Sequence, residues 1–158
     1  WLDSPFYCVG SLDKSLYNGP IFSIKRPDYL HASVAGGMFA GYSLGCDDDH
    51  RRAFATIRDF FLEYWRRNDF MVDYLLVDYL TVLAQRHDPW IAEAFNEIQP
   101  NNPDCDELFK ILDQPYDEDM WKRLSAHTDL FKLTWKQDFP VEHDGEKTFY
   151  GMLEGIGD

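Results

Sequence analysis

Two aspartates five positions apart, Asp73 and Asp78, stand among Tyr74, Leu75, Leu76 and Tyr79 and are the candidate catalytic carboxylates. On a helix, five residues turn about 140°, so the two do not share a face and at most one of them points into a given cleft. A carboxylate among Tyr and Leu near a helix start costs free energy if it is buried without partners, which favours Asp73 as the functional one. The alternatives are a helix-start carboxylate facing water for Asp73 and a structural role for Asp78. His127 is a candidate metal ligand or phosphate contact, although a lone histidine is more often structural. The run Asp47-Asp48-Asp49 resembles a metal cluster on paper. Three acids ahead of an apolar periodic stretch are better explained by capping and the helix dipole. Gly36-Gly37 is no phosphate loop, because the remaining glycines and the Lys-Ser/Thr pair are missing. The order of Ser, His, Asp and Cys residues suggests no nucleophilic triad.

The elements that must carry these residues follow from periodicity and turn chemistry. Phe6 to Val9, Ile21 to Ile24 and Met38 to Tyr42 each read as a short strand, with turns at Asn18-Gly19-Pro20 and Gly36-Gly37. After Asp47, the set Phe54, Ile57, Phe61, Tyr64 and Trp65 has helical spacing and predicts an amphipathic helix capped by Asp. A second helix is expected beyond Arg66-Arg67-Asn68-Asp69, carrying Val72, Leu75, Leu76, Tyr79, Leu80 and Leu83 as a wide apolar stripe against the first. Asp88-Pro89 marks a third start, with Asp88 as cap and Pro89 at the first helical position. Pro100 to Pro103 breaks the chain. Shorter helices are expected at Asp104 to Leu112 and Asp117 to Leu124, and a strand or extended loop at Phe131 to Trp135. Asp138 to Lys147 reads as a loop, and Thr148 to Leu153 as a last helical turn. The fold class expected is mixed α/β, a single domain over 1–158, strand-rich over 1–45 and mainly helical over 46–158.

The opening Trp1-Leu2-Asp3-Ser4 resembles the aspartate motif of the capsular polysaccharide synthesis proteins and of glycosyltransferases with a sugar-binding region. The resemblance continues in order through Phe39-Ala40-Gly41-Tyr42, Phe61-Leu62-Glu63-Tyr64-Trp65, Asp73-Tyr74-Leu75-Leu76-Val77-Asp78-Tyr79 and Phe131-Lys132-Leu133-Thr134-Trp135-Lys136. It implies a GT-A-like fragment, the C-terminal part of a catalytic domain whose sheet is completed by a preceding half. It also implies a nucleotide-sugar donor such as a UDP-sugar, a glycan or lipid-linked acceptor, and a divalent cation, Mn²⁺ or Mg²⁺. Trp1, Asp3 and Ser4 match the family's donor-binding positions, with Asp3 as metal contact. Where the fuller motif has a second aspartate this chain has Pro5, which leaves Asp3 to act alone or with a ligand from elsewhere. The matching Trp135 and Lys136 imply contact with the sugar and the diphosphate: an aromatic face stacks on a sugar ring, and lysine offers a point charge to phosphate.

Composition narrows the alternatives. The 158 residues carry 28 acidic and 15 basic side chains and a formal charge of -13, with no long basic cluster, which disfavours nucleic acid and anionic membranes as main ligands. Aromatic residues make up 16% of the chain, enough apolar area to argue against disorder. Cys8, Cys46 and Cys105 are too far apart for a CxxC site and odd in number, which suits a reducing, cytoplasmic setting, compatible with attachment at the inner face of the membrane in a longer protein. No run of about 20 apolar residues is present. The first residue is Trp1 and not Met, so a processed or truncated product is expected. The rival reading is a non-catalytic, mostly helical interaction domain, and an incomplete sheet would add a tendency to self-association.

Overall fold

The computed structural model describes residues 1–10, 19–28 and 34–155. The chain divides into two compact units, one formed by Trp1–Asp3 and Asp13–Asn101, the other by Ser4–Leu12 and Asn102–Asp158. The fold is mixed: the described residues form five α-helices and three two-stranded antiparallel pairs.

In the first unit the chain start is stitched to residues 42–44. Trp1 N–H donates to the Leu44 carbonyl at 2.7 Å, Leu44 N–H returns to the Trp1 carbonyl, and Asp3 N–H donates to the Tyr42 carbonyl at 3.0 Å. Beside this lies β2 (Ile21–Phe22) paired with β3 (Gly45–Cys46), with Ile21 opposite Cys46. The expected strand at Met38 to Tyr42 is reduced to a single bridge between Ala40 and Ser43. The physical reason is the Ser23 hydroxyl, which accepts from Ala40 N–H at 2.8 Å and donates to the Ala40 carbonyl at 3.2 Å. A side chain thus takes the place of a ladder partner.

Three helices complete this unit: α1 (Arg51–Arg67), α2 (Leu76–His87) and α3 (Pro89–Asn96). The first starts four residues after Asp47, because the Asp47 carboxylate accepts from His50 N–H at 2.8 Å and closes a turn ahead of the helix. The second likewise starts after Asp73, whose carboxylate accepts from Leu75 N–H at 2.7 Å. The third is capped as its sequence requires: Pro89 opens it and the Asp88 side chain accepts from Trp90 N–H. Ala53, Ile57, Ala84, Ile91 and Phe95 fill the core, with Phe39 edge-on to Phe95 at 5.4 Å. No helix among the described residues is long and apolar enough to cross a membrane.

In the second unit β1 (Phe6–Cys8) runs antiparallel to β4 (Leu130–Lys132), and bonds from Leu133 N–H to Pro5 and from Val9 N–H to Asp129 extend the pairing at both ends. The helix expected over 104–112 is only a 3-10 turn at Leu108–Ile111. The Cys105 carbonyl accepts from Lys132 N–H, and Asp104 N–H donates to the Thr128 hydroxyl, so both groups serve the neighbouring strand and its approach. α4 (Glu118–Ser125) is capped by Asp117 and α5 (Phe149–Glu154) by Thr148. Between them the segment read as a loop holds a small hairpin, β5 (Glu142–His143) with β6 (Glu146–Lys147), turned by Asp144 and Gly145 at φ 53° and 84°. Positive φ at both positions is what a tight two-residue hairpin needs. Leu108, Leu112, Leu124, Phe131 and Phe149 form the second core.

Candidate functional site

A polar, partly buried region of the first unit gathers around Gly41 and Tyr42. From one direction comes Asp3, whose N–H is held by the Tyr42 carbonyl. From another comes α2, where Asp78 occupies the first turn, only 6% exposed. Gly41 lies so close to that helix that an added methyl group would overlap Asp78 Oδ1 and sit 2.9 Å from Val77 Cγ1. Glycine is required here by proximity, not by an unusual backbone angle. A cation completes the group: the Arg26 guanidinium, 6% exposed, donates to the Tyr42 hydroxyl at 3.2 Å.

Asp78 is electrostatically unusual. Burial pushes its carboxyl from 3.8 up to about 6, and its Oδ1 has no hydrogen-bond partner. Among the described residues two further buried side-chain atoms share that condition, Thr81 Oγ1 and Gln85 Nε2. Their offsets from Asp78, three and seven residues, set all three on one side of α2. Unpaired buried polar atoms are rare in folded proteins and call for an explanation. A carboxyl titrating near neutrality, with an acceptor atom to spare, can bind a hydroxyl-rich ligand, stabilise a neighbouring positive charge or exchange a proton.

The two candidate aspartates therefore trade places. Asp73 is exposed and lies in the turn before α2, with its carboxylate on Leu75 N–H, so the burial argument that favoured it applies instead to Asp78. The reason is the start of the helix: once α2 begins at Leu76, Asp73 is outside it and Asp78 falls on the inner face. Trp1 is 81% exposed and anchored by its backbone alone. Ser4, His127, Trp135 and Lys136 belong to the second unit. Ser4 and His127 are exposed, and Trp135 is 75% exposed with the Lys136 ammonium 5.8 Å from its ring centre. Among the described residues no three His, Cys, Asp or Glu side chains come together as a metal site. Mg²⁺ and Mn²⁺ bound with a nucleoside diphosphate take most of their ligands from phosphate and water, so a single carboxylate such as Asp3 matches that chemistry.

Sequence reasoning missed Arg26, Thr81 and Gln85. Arg26 had no signal, since a lone arginine before a proline is ordinarily solvated; Thr81 and Gln85 had one in their spacing from Asp78.

The capsular polysaccharide synthesis protein family matches residues 1–153. No curated protein and no solved structure matches the chain.

Proposed function

The chain belongs to the capsular polysaccharide synthesis protein family, and from that premise we propose that it serves capsule biosynthesis as a glycosyltransferase. The donor is a nucleotide sugar, a UDP-sugar by the resemblance, and the acceptor a glycan or a lipid-linked saccharide. One observation carries this reading: three separated segments that resemble the family, Trp1–Ser4, Phe39–Tyr42 and Asp73–Tyr79, contribute Asp3, Gly41, Tyr42 and Asp78 to one place in the first unit.

In the transfer, the acceptor oxygen bonds to the anomeric carbon, the bond from that carbon to the phosphate oxygen breaks, and the nucleoside diphosphate departs with the electron pair. The acceptor's proton is lost to the departing phosphate. Negative charge grows on the diphosphate and positive charge on the sugar ring. The reading assigns Arg26 to the first, since guanidinium is the strongest phosphate partner among side chains. Asp78 meets the second: an ionised, buried carboxylate lacking a full set of partners gains more from a nearby positive charge than a solvated one does, and that gain is realised only as the charge develops. Asp3 would hold a divalent cation through its carboxylate, and the cation would supply charge neutralisation at the diphosphate. Trp135 and Lys136 stay in the proposal as contacts to sugar and phosphate. The reading places the protein in the cytoplasm, where nucleotide sugars are made.

Calorimetric titration with UDP and with UDP-hexoses, with and without Mn²⁺, tests the proposal. The expected pattern is binding that is lost in Asp3→Ala, and in Asp78→Asn a retained affinity for UDP with loss of transfer to acceptor. Equal heats for the wild type and Asp3→Ala would refute it.

A further inference from the structure

The two-helix hairpin α1–α2 presents an apolar face that none of the described residues covers. Leu62 and Trp65 near the end of α1, and Phe70, Met71, Val72 and Tyr74 in the connection to α2, are between 45% and 84% exposed. The connection does not collapse over its own side chains because its backbone is pinned. The Tyr64 hydroxyl donates to the Phe70 carbonyl at 2.9 Å and accepts from Val72 N–H at 3.1 Å, and the Asn68 amide donates to the Tyr64 carbonyl. These bonds hold the loop open and its apolar side chains outward.

At about 200 Å² for each large side chain, the six expose roughly 750 Å². That exceeds the largest apolar patch of an ordinary monomer, about 300–600 Å². It matches the roughly 800 Å² that each partner contributes to a standard stable interface. Charge then selects the occupant. In a chain of net charge -13 this tip is close to neutral: Arg66 and Arg67 stand within a few residues of Glu63, Asp69 and Asp73. Both arginines are already paired to Glu63, so the tip lacks the uncompensated basic charge that draws a protein to an anionic lipid surface. Near-neutrality selects a second copy instead: this tip is where two chains of net charge -13 meet with little like-charge repulsion, and a two-fold axis sets the same apolar patch against itself.

We propose that the α1–α2 tip is the interface of a homodimer, with Phe70, Met71 and Val72 at its centre. This assignment is independent of the transferase reading, since none of these residues belongs to the proposed donor site.

Sedimentation velocity across a concentration series tests it. The wild type is expected to dimerise, and Phe70→Ser with Met71→Ser to raise the dissociation constant at least tenfold while the far-ultraviolet circular dichroism stays unchanged. A second variant separates loss of the dimer from misfolding: Val72→Lys changes one side chain that is 65% exposed and sets like charges against each other at the axis. It should be monomeric at concentrations where the wild type is dimeric, with its thermal unfolding unchanged. A wild type that is monomeric throughout, a monomer that floats with phosphatidylcholine vesicles, or a dimer indifferent to these substitutions would each overturn the proposal.

Discussion

Replacing Asp78 by asparagine removes a charge at nearly constant shape, and its consequence depends on pH in a way that can be worked out beforehand. Burial raises the carboxyl from 3.8 to about 6, so the folded chain holds this proton more tightly than the unfolded one. Below pH 3.8 the group is neutral in both states and its ionisation takes nothing from stability. Between 3.8 and about 6 the unfolded state releases the proton first, and stability falls as pH rises; above about 6 the full loss is present. A displacement of about two units corresponds to about 3 kcal/mol. The asparagine variant escapes that loss, so the difference in unfolding free energy, variant minus wild type, should be about 3 kcal/mol more favourable to the variant at pH 7.5 than at pH 4. Urea titrations followed by tryptophan fluorescence at pH 4, 5, 6 and 7.5 measure it, and taking the difference cancels the other carboxylates. A difference that stays flat across this range would refute the burial argument. One that grows with pH while transfer activity is lost would mark Asp78 as a residue kept against the interest of stability.

Two glycines offer a contrast. Gly41→Ala presses a methyl group on Asp78 and Val77, side chains at the edge of α2, and should cost about 1–3 kcal/mol and shift the pH profile of the Asp78 region. Gly151→Ala presses on the Val141 carbonyl, which is fixed by Thr148 through both its N–H and its hydroxyl, so the second unit should be destabilised by at least as much in thermal unfolding. Asp88→Ala removes the cap of α3 and the Arg52 contact at 2.8 Å, with an expected loss of about 1 kcal/mol in urea unfolding.

The parts of the fold legible in the sequence are those where one local rule decides. The third helix followed from Asp88 and Pro89, the fourth from the Asp117 cap, and the face of α1 from the spacing of Ile57 and its neighbours. Elements failed to appear where a distant group intercepted the backbone: Ser23 at Ala40, Lys132 at Cys105. The hairpin at Asp144-Gly145 did carry a turn signal, but its strands are two residues each and fully polar, so no periodicity announced them. The same distinction governs the site. That Asp73 and Asp78 were the carboxylates to weigh could be read from their apolar company. Which of them is buried depended on a one-turn choice in where α2 begins and on how closely Gly41 approaches, and neither is encoded within the helix itself.

The interleaving of the two units bears on how the protein is made. Among the described residues the ladder partner of strand β1 is β4, roughly 120 residues later in the chain. At about 5–20 residues per second, β1 leaves the ribosome some 6–25 s before Leu130 to Lys132 exist to pair with it. Throughout that interval the first unit can assemble, while Phe6, Tyr7 and Cys8 wait for β4. Slowing synthesis between α3 and β4 lengthens that exposure, so the yield of folded protein from a cell should respond to translation speed in that stretch as much as to the stability of the finished fold.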